Sequence, residues 1–179
     1  MMTSKPFTRS FDVSHLGSTA QTRHVTADAA ELQALKKEFD LLDLAGLEAD
    51  LTLSPWGRHG VKIDGRLQAD VVQACVITLQ PVPSHMDQRF SLSFLPADVI
   101  AADPKTVAEA EVIVVYDEED PPEPLEGAVI DLGVILTEQF ALALDPYPRA
   151  PGAALDDVAD EGVDKPASPF AALSKLRDK

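Results

Sequence analysis

Leu47, Ala49, Leu51 and Leu53 alternate with Glu48, Asp50 and Thr52, the period of a strand with one buried face. A turn-forming run follows, Ser54-Pro55-Trp56-Gly57-Arg58-His59-Gly60. Val61, Ile63, Leu67, Ala69 and Val71 then alternate with Lys62, Asp64, Arg66, Gln68 and Asp70, which predicts an antiparallel hairpin with one wet face. An apolar stretch, Val71 to Leu79, continues the strand pattern through Cys75 and ends at Pro81-Val82-Pro83. Phe90, Leu92 and Phe94 make a further alternating strand that stops at Pro96, and Val112 to Tyr116 reads as a buried strand. Near the N-terminus, Phe7, Phe11 and Val13 predict a strand in otherwise mixed, polar sequence.

Helical spacing occurs twice before the tail. Asp28 can cap a helix with Glu31 three positions on, and Leu32, Leu35, Phe39 and Leu42 form its stripe until Gly46 interrupts. Asp131 can cap a second, striped by Leu132, Ile135, Leu136, Phe140 and Ala143 and stopped by Asp145-Pro146-Tyr147-Pro148. Ser168-Pro169-Phe170 opens a short terminal helix, with a cap serine and a proline at its first position. Strands grouped together with flanking helices predict an α+β domain on an antiparallel sheet of about five or six strands, open or curled into a partial barrel. The expected organisation is a single domain over 1–149, an acidic Pro/Ala-rich linker over 150–167 and a flexible tail ending in the helix over 168–179.

Charge changes this picture in two places. The 179 residues carry a formal charge of −15. Ten acids between Asp98 and Glu126 face one base, Lys105, and five acids between Asp156 and Asp164 face none. Such blocks predict solvated loops and tails, or a surface for a basic partner. Direct RNA binding by the whole chain is disfavoured, because phosphate contacts need clustered Lys and Arg, although a local basic face stays open. No apolar run is long enough for a membrane span, and residues 1–10 lack the apolar core of a signal peptide, so a soluble, cytoplasmic protein without a membrane partner is expected.

Little in the chain resembles catalytic machinery. His15, His24, His59 and His85 lie far apart, and no phosphate-cradling glycine loop or nucleophile elbow is present. Glu118-Glu119-Asp120 sit in a Pro-bounded loop, ill suited to raising a carboxyl pKa by burial, and a divalent-metal site there is disfavoured. Cys75 reads as a small buried hydrophobe, and a single cysteine excludes an internal disulfide and zinc sites built on paired cysteines. No catalytic residue, metal ligand or cofactor is expected.

The run from Gly65 to Val82 nevertheless resembles a bacterial family, the YceD or large ribosomal RNA subunit accumulation proteins. Their hallmark is a strand starting at a glycine, then C-x-R-C-L, an acidic or polar residue, Pro and Val. Gly65, Cys75, Leu79, Pro81 and Val82 match it here. The block Ile130 to Pro148 and the ending Ser168 to Leu176 resemble two further family blocks. Ile77 stands in place of the motif's arginine and Thr78 in place of its second cysteine, and the cysteine that many members carry near the C-terminal block is missing after Pro148. A four-thiolate metal site would therefore lack its ligands here. The motif's role in this chain is then expected to be strand packing and a turn at Pro81.

The resemblance implies a non-enzymatic role in the accumulation or processing of large-subunit rRNA, or in ribosome assembly. The implied partner is a ribosomal precursor particle or a basic ribosomal protein. The alternative is a general acidic adaptor or holdase unrelated to ribosomes. Pro169, Phe170, Leu173, Lys175 and Leu176 are candidate docking residues of the terminal helix, which either seats on a partner or packs back on its own domain.

Overall fold

The computed structural model describes residues 7–57, 59–101 and 121–154. The elements in order are β1 (Ser10–Asp12), a single 3-10 turn (Val13–His15), β2 (Gln21–Thr26), α1 (Ala29–Glu38), β3 (Asp43–Trp56) and β4 (Gly60–Ala74). They continue with β5 (Pro81–Pro96), α2 (Ala97–Ala101), β6 (Glu123–Leu125), β7 (Val129–Asp131) and α3 (Leu132–Ala143). The expected strand at Val112–Tyr116, the acidic Glu118–Asp120 loop, most of the linker and the terminal helix lie outside the described residues.

The fold is α+β, as the grouped strands predict. One sheet has the order β2-β3-β4-β5-β6, and β1 pairs with β7 in a separate two-stranded sheet. Two expectations are corrected. Among the described residues the larger sheet stays open and does not close into a barrel. It is also not wholly antiparallel, because β6 joins β5 in parallel, Phe94 opposite Glu123. A parallel neighbour cannot be joined by a tight hairpin, and β5 and β6 are far apart in sequence.

Alternation sets the two faces of the sheet. Leu47, Ala49, Leu51 and Leu53 of β3 and Val61, Ile63, Leu67, Ala69 and Val71 of β4 are buried, with Met86 and Phe94 of β5 beside them. Leu35 of α1 and Leu136 and Phe140 of α3 complete this core, and the Phe39 and Phe140 rings meet edge to face at 5.4 Å. The opposite face is wet. Cross-strand pairs His24–Asp50 (2.8 Å), Arg66–Asp87 (2.5 Å) and His85–Asp70 (2.7 Å) span it.

The helix caps are as predicted. Asp28 accepts from the N–H groups of Ala30 and Glu31, while Glu31 accepts from the Asp28 N–H. Asp131 accepts from Gly133 and Val134, and from the N–H of Arg9 at 2.8 Å. The Arg9 guanidinium also grips both Glu31 oxygens, at 2.6 and 2.8 Å, so one residue links the starts of both helices. That contact holds the Glu31 carboxyl below its ordinary range.

Several boundaries differ from the periodic reading. The α1 stripe ends at Phe39, because Asp40 turns left-handed (φ 52°) and sends Leu41 into the core while Leu42 stays 44% exposed. Gly46 marks a register irregularity inside β3, not a break before it. The Phe7–Val13 strand is reduced to β1. β5 begins at Pro81 rather than near Phe90, although its first half carries mostly polar residues.

Candidate functional site

Cys75 directly follows the last residue of β4, and Cys75 to Gln80 form the turn into β5. The chain reverses there through three local hydrogen bonds. The Cys75 N–H donates to the Gln80 carbonyl (2.8 Å), the Leu79 N–H to the Cys75 carbonyl (2.9 Å), and the Thr78 N–H to the Cys75 Sγ (3.4 Å). Leu79 completes the reversal in the left-handed region at φ 60°, a conformation that costs a branched side chain roughly 1–2 kcal/mol. Pro81 is therefore not the turn. It opens β5 opposite Ala74, and Val82 pairs with Gln73. A proline fits the first residue of a strand, where its missing N–H is least needed.

A strap from the end of α3 crosses this turn. Pro146 forbids helix continuation, and the chain leaves α3 extended at Leu144. The Gln73 side chain donates to the Asp145 carbonyl (2.9 Å), the Val76 N–H to the Pro148 carbonyl (2.9 Å), and the Ala150 N–H to Cys75 Sγ (3.3 Å). Ala150 thus belongs to a fixed strap and not to a free linker. A further bond from the Ala153 N–H to the Ala150 carbonyl (3.1 Å) closes the strap's last turn.

Cys75 is fully covered, as the apolar reading expects, but it does more than fill space. Its sulfur takes N–H groups from two chain segments. Hydrogen bonding from Ala150 first, then from Thr78, lowers the thiol pKa to about 6 against the opposing effect of burial. The sulfur in that position joins sheet end and strap.

Gly65 is not part of this cluster. It lies ten residues back along β4, roughly 33 Å at strand rise. There it pairs with Leu51 on one side and Phe90 on the other. A Cβ on Gly65 would overlap the Phe90 ring, so the glycine makes room for that ring to lie across the strand. The motif's glycine and its cysteine-centred turn therefore have separate jobs, one in packing and one in chain reversal. The candidate residues Pro169, Phe170, Leu173, Lys175 and Leu176 lie outside the described residues.

Sequence reasoning missed the strap and the apolar groups displayed with it. Val76 is 47% exposed, Leu79 76% and Tyr147 70%. The available signal was Tyr147 between two prolines, an aromatic in a segment too stiff to serve only as a helix stop.

Thr78, where the family motif has its second cysteine, donates its N–H to Cys75 Sγ and accepts from the Gln80 N–H through Oγ1 (3.4 Å). A hydroxyl and one thiolate do not make a structural zinc site. Among the described residues no three His, Cys, Asp or Glu side chains gather to hold a metal ion. A separate cleft of about 680 Å³ runs along β5, lined by Lys62, Arg89, Phe90 and Leu92, with Glu123 and Leu142 opposite. Glu123 there is pushed above the ordinary carboxyl range by desolvation and then by nearby Glu138. Among the described residues no helix is long and apolar enough to cross a membrane.

A family model described as large ribosomal RNA subunit accumulation protein YceD matches residues 63–177, more than half of the chain. It takes in most of β4, the Cys75 turn, α3 and the strap. No curated protein and no solved structure matches the chain.

Proposed function

Because the chain belongs to the YceD family of large ribosomal RNA subunit accumulation proteins, we propose that it is a non-enzymatic factor in accumulating or processing large-subunit rRNA. It acts by binding a basic ribosomal protein or a precursor particle that carries one. The observation that carries this reading is the family match, which spans the Cys75 turn and its strap.

Charge supports the choice of partner. A chain at −15 attracts basic proteins, and complementarity of this kind speeds encounter and rejects wrong partners more than it adds affinity. The wet face of the sheet adds a broad polar surface. Acids Glu48, Asp50, Asp64, Asp70 and Asp87 alternate there with Lys62, Arg66 and Arg89 across β3, β4 and β5. The Arg66–Asp87 pair holds the Asp87 carboxyl below its ordinary range.

Co-sedimentation tests the reading. The tagged full chain is expected to travel with large-subunit precursor particles in a gradient of cell extract and to release them as salt rises, since exposed charge pairs are screened within about 8 Å at physiological ionic strength. A mixed population of unfolded clients without ribosomal proteins or rRNA would favour a general holdase. Absence from every ribosomal fraction would overturn the proposal.

A further inference from the structure

Val76, Leu79 and Tyr147 are exposed apolar groups carried by one hydrogen-bonded unit. The backbone of that unit is fixed at both of its chain segments, by Cys75 Sγ and by the Val76–Pro148 bond. Leu79 is the most telling of the three. It occupies a left-handed position that Gly or Asn would fill with less strain, and its side chain is 76% exposed, so core packing does not explain the leucine. Strain of this kind persists only where the surrounding structure holds it, and the isolated domain gives the exposed leucine no packing role.

We propose that this apolar display is the seat of the chain's own C-terminal segment, with Phe170, Leu173 and Leu176 as its anchors. The exit point supports this occupant. The described chain ends at Ala154, four residues beyond the Ala150 N–H that is bonded to Cys75 Sγ, so the rest of the chain departs from the seat itself. A chain of the length of residues 155–167 has a root-mean-square reach of about 20 Å. The segment beyond it carries apolar residues three apart, at 170, 173 and 176, enough to present three anchors on one side. Tethering makes the contact intramolecular. At an effective concentration of about 1 mM, a tethered segment is seated far more than the same segment free at micromolar concentration, with no new contact. The inference is independent of the ribosomal reading, and a partner that uses the same seat must displace the segment.

Backbone amide NMR on the full chain tests it. Phe170→Asp/Leu173→Asp is expected to move the Val76, Leu79 and Tyr147 resonances while leaving those of α1 and β3 in place. Leu79→Asp, which keeps a residue that tolerates the left-handed backbone, is expected to move the resonances of residues 170–176 in return. Unmoved Val76, Leu79 and Tyr147 amides in the double variant would overturn the inference. So would resonance changes that scale with protein concentration alongside a doubled sedimentation mass, because the occupant would then be a second copy. Failure here leaves co-sedimentation with precursor particles unaffected, so the two proposals fall separately.

Discussion

The two ends of β4 turn the chain in contrasting ways. At its start the chain leaves β3 at Trp56 and passes through Gly57, which takes the left-handed region at φ 58° with open space around the position of a Cβ. At its end the chain passes through Leu79, which takes nearly the same φ, 60°, with a bulky side chain turned to solvent. The first turn uses the residue that makes such a backbone easy. The second accepts strain, buries a cysteine whose sulfur gathers N–H groups from two segments, and is gripped by a strap from the far side of the fold. The first turn reverses the chain on an easy backbone. The other reverses it, fastens α3 to the sheet end and displays a leucine, which is where a functional role is to be sought.

The largest effect is expected at the sulfur. Cys75→Ala removes the acceptor for the Ala150 and Thr78 N–H groups and leaves a void, which should lower Tm by about 5 °C. The Ala150 amide should also exchange faster with solvent, and unchanged exchange there would remove the sulfur's claim to hold the strap. This effect depends on pH. The folded thiol pKa of about 6 lies below the unfolded value of about 8.5, so its stabilisation is full above the unfolded value and is lost as pH falls through 6. The Tm difference between wild type and Cys75→Ala is therefore expected to be wide at pH 9 and narrow at pH 5.

Opposite signs at the two turns would sharpen the contrast next. Gly57→Ala should destabilise by about 1 kcal/mol in denaturant titration, because alanine is strained at that φ. With the seat emptied by Phe170→Asp/Leu173→Asp, adding Leu79→Asn should stabilise by about 0.5 kcal/mol, because asparagine tolerates the same backbone and little burial is lost. Destabilisation by Leu79→Asn in that background would mean that the leucine packs against its own domain, against the idea that it is displayed. The smallest effect belongs to the wet face, where Asp87→Asn should shift stability by less than about 1 kcal/mol and less still at high salt.

The legible parts of the fold were those in which one residue type repeats at one period. The apolar alternation of Leu47–Leu53 and Val61–Val71 and the capping acids Asp28 and Asp131 were each visible in the sequence. β2 was not, because Val25 is its one buried residue and its pairing with β3 rests on backbone bonds that no side-chain pattern announces. The first half of β5 was hidden by Pro81 and Pro83, which read as a stop although both fall where the strand begins. The candidate site divides in the same way. The resemblance named Gly65, Cys75, Leu79, Pro81 and Val82, and four of those five cluster at the turn. It could not show that Leu79 is the left-handed residue, nor that Ala150, 75 positions away, donates to the same sulfur, since both depend on tertiary placement.

Depleting the protein from growing cells and measuring the ratio of large- to small-subunit rRNA tests the central claim most directly. A fall in that ratio, with large-subunit precursors building up and recovery on re-expression of the full chain, is the expected result. An unchanged ratio and an unchanged precursor profile after complete depletion would contradict it.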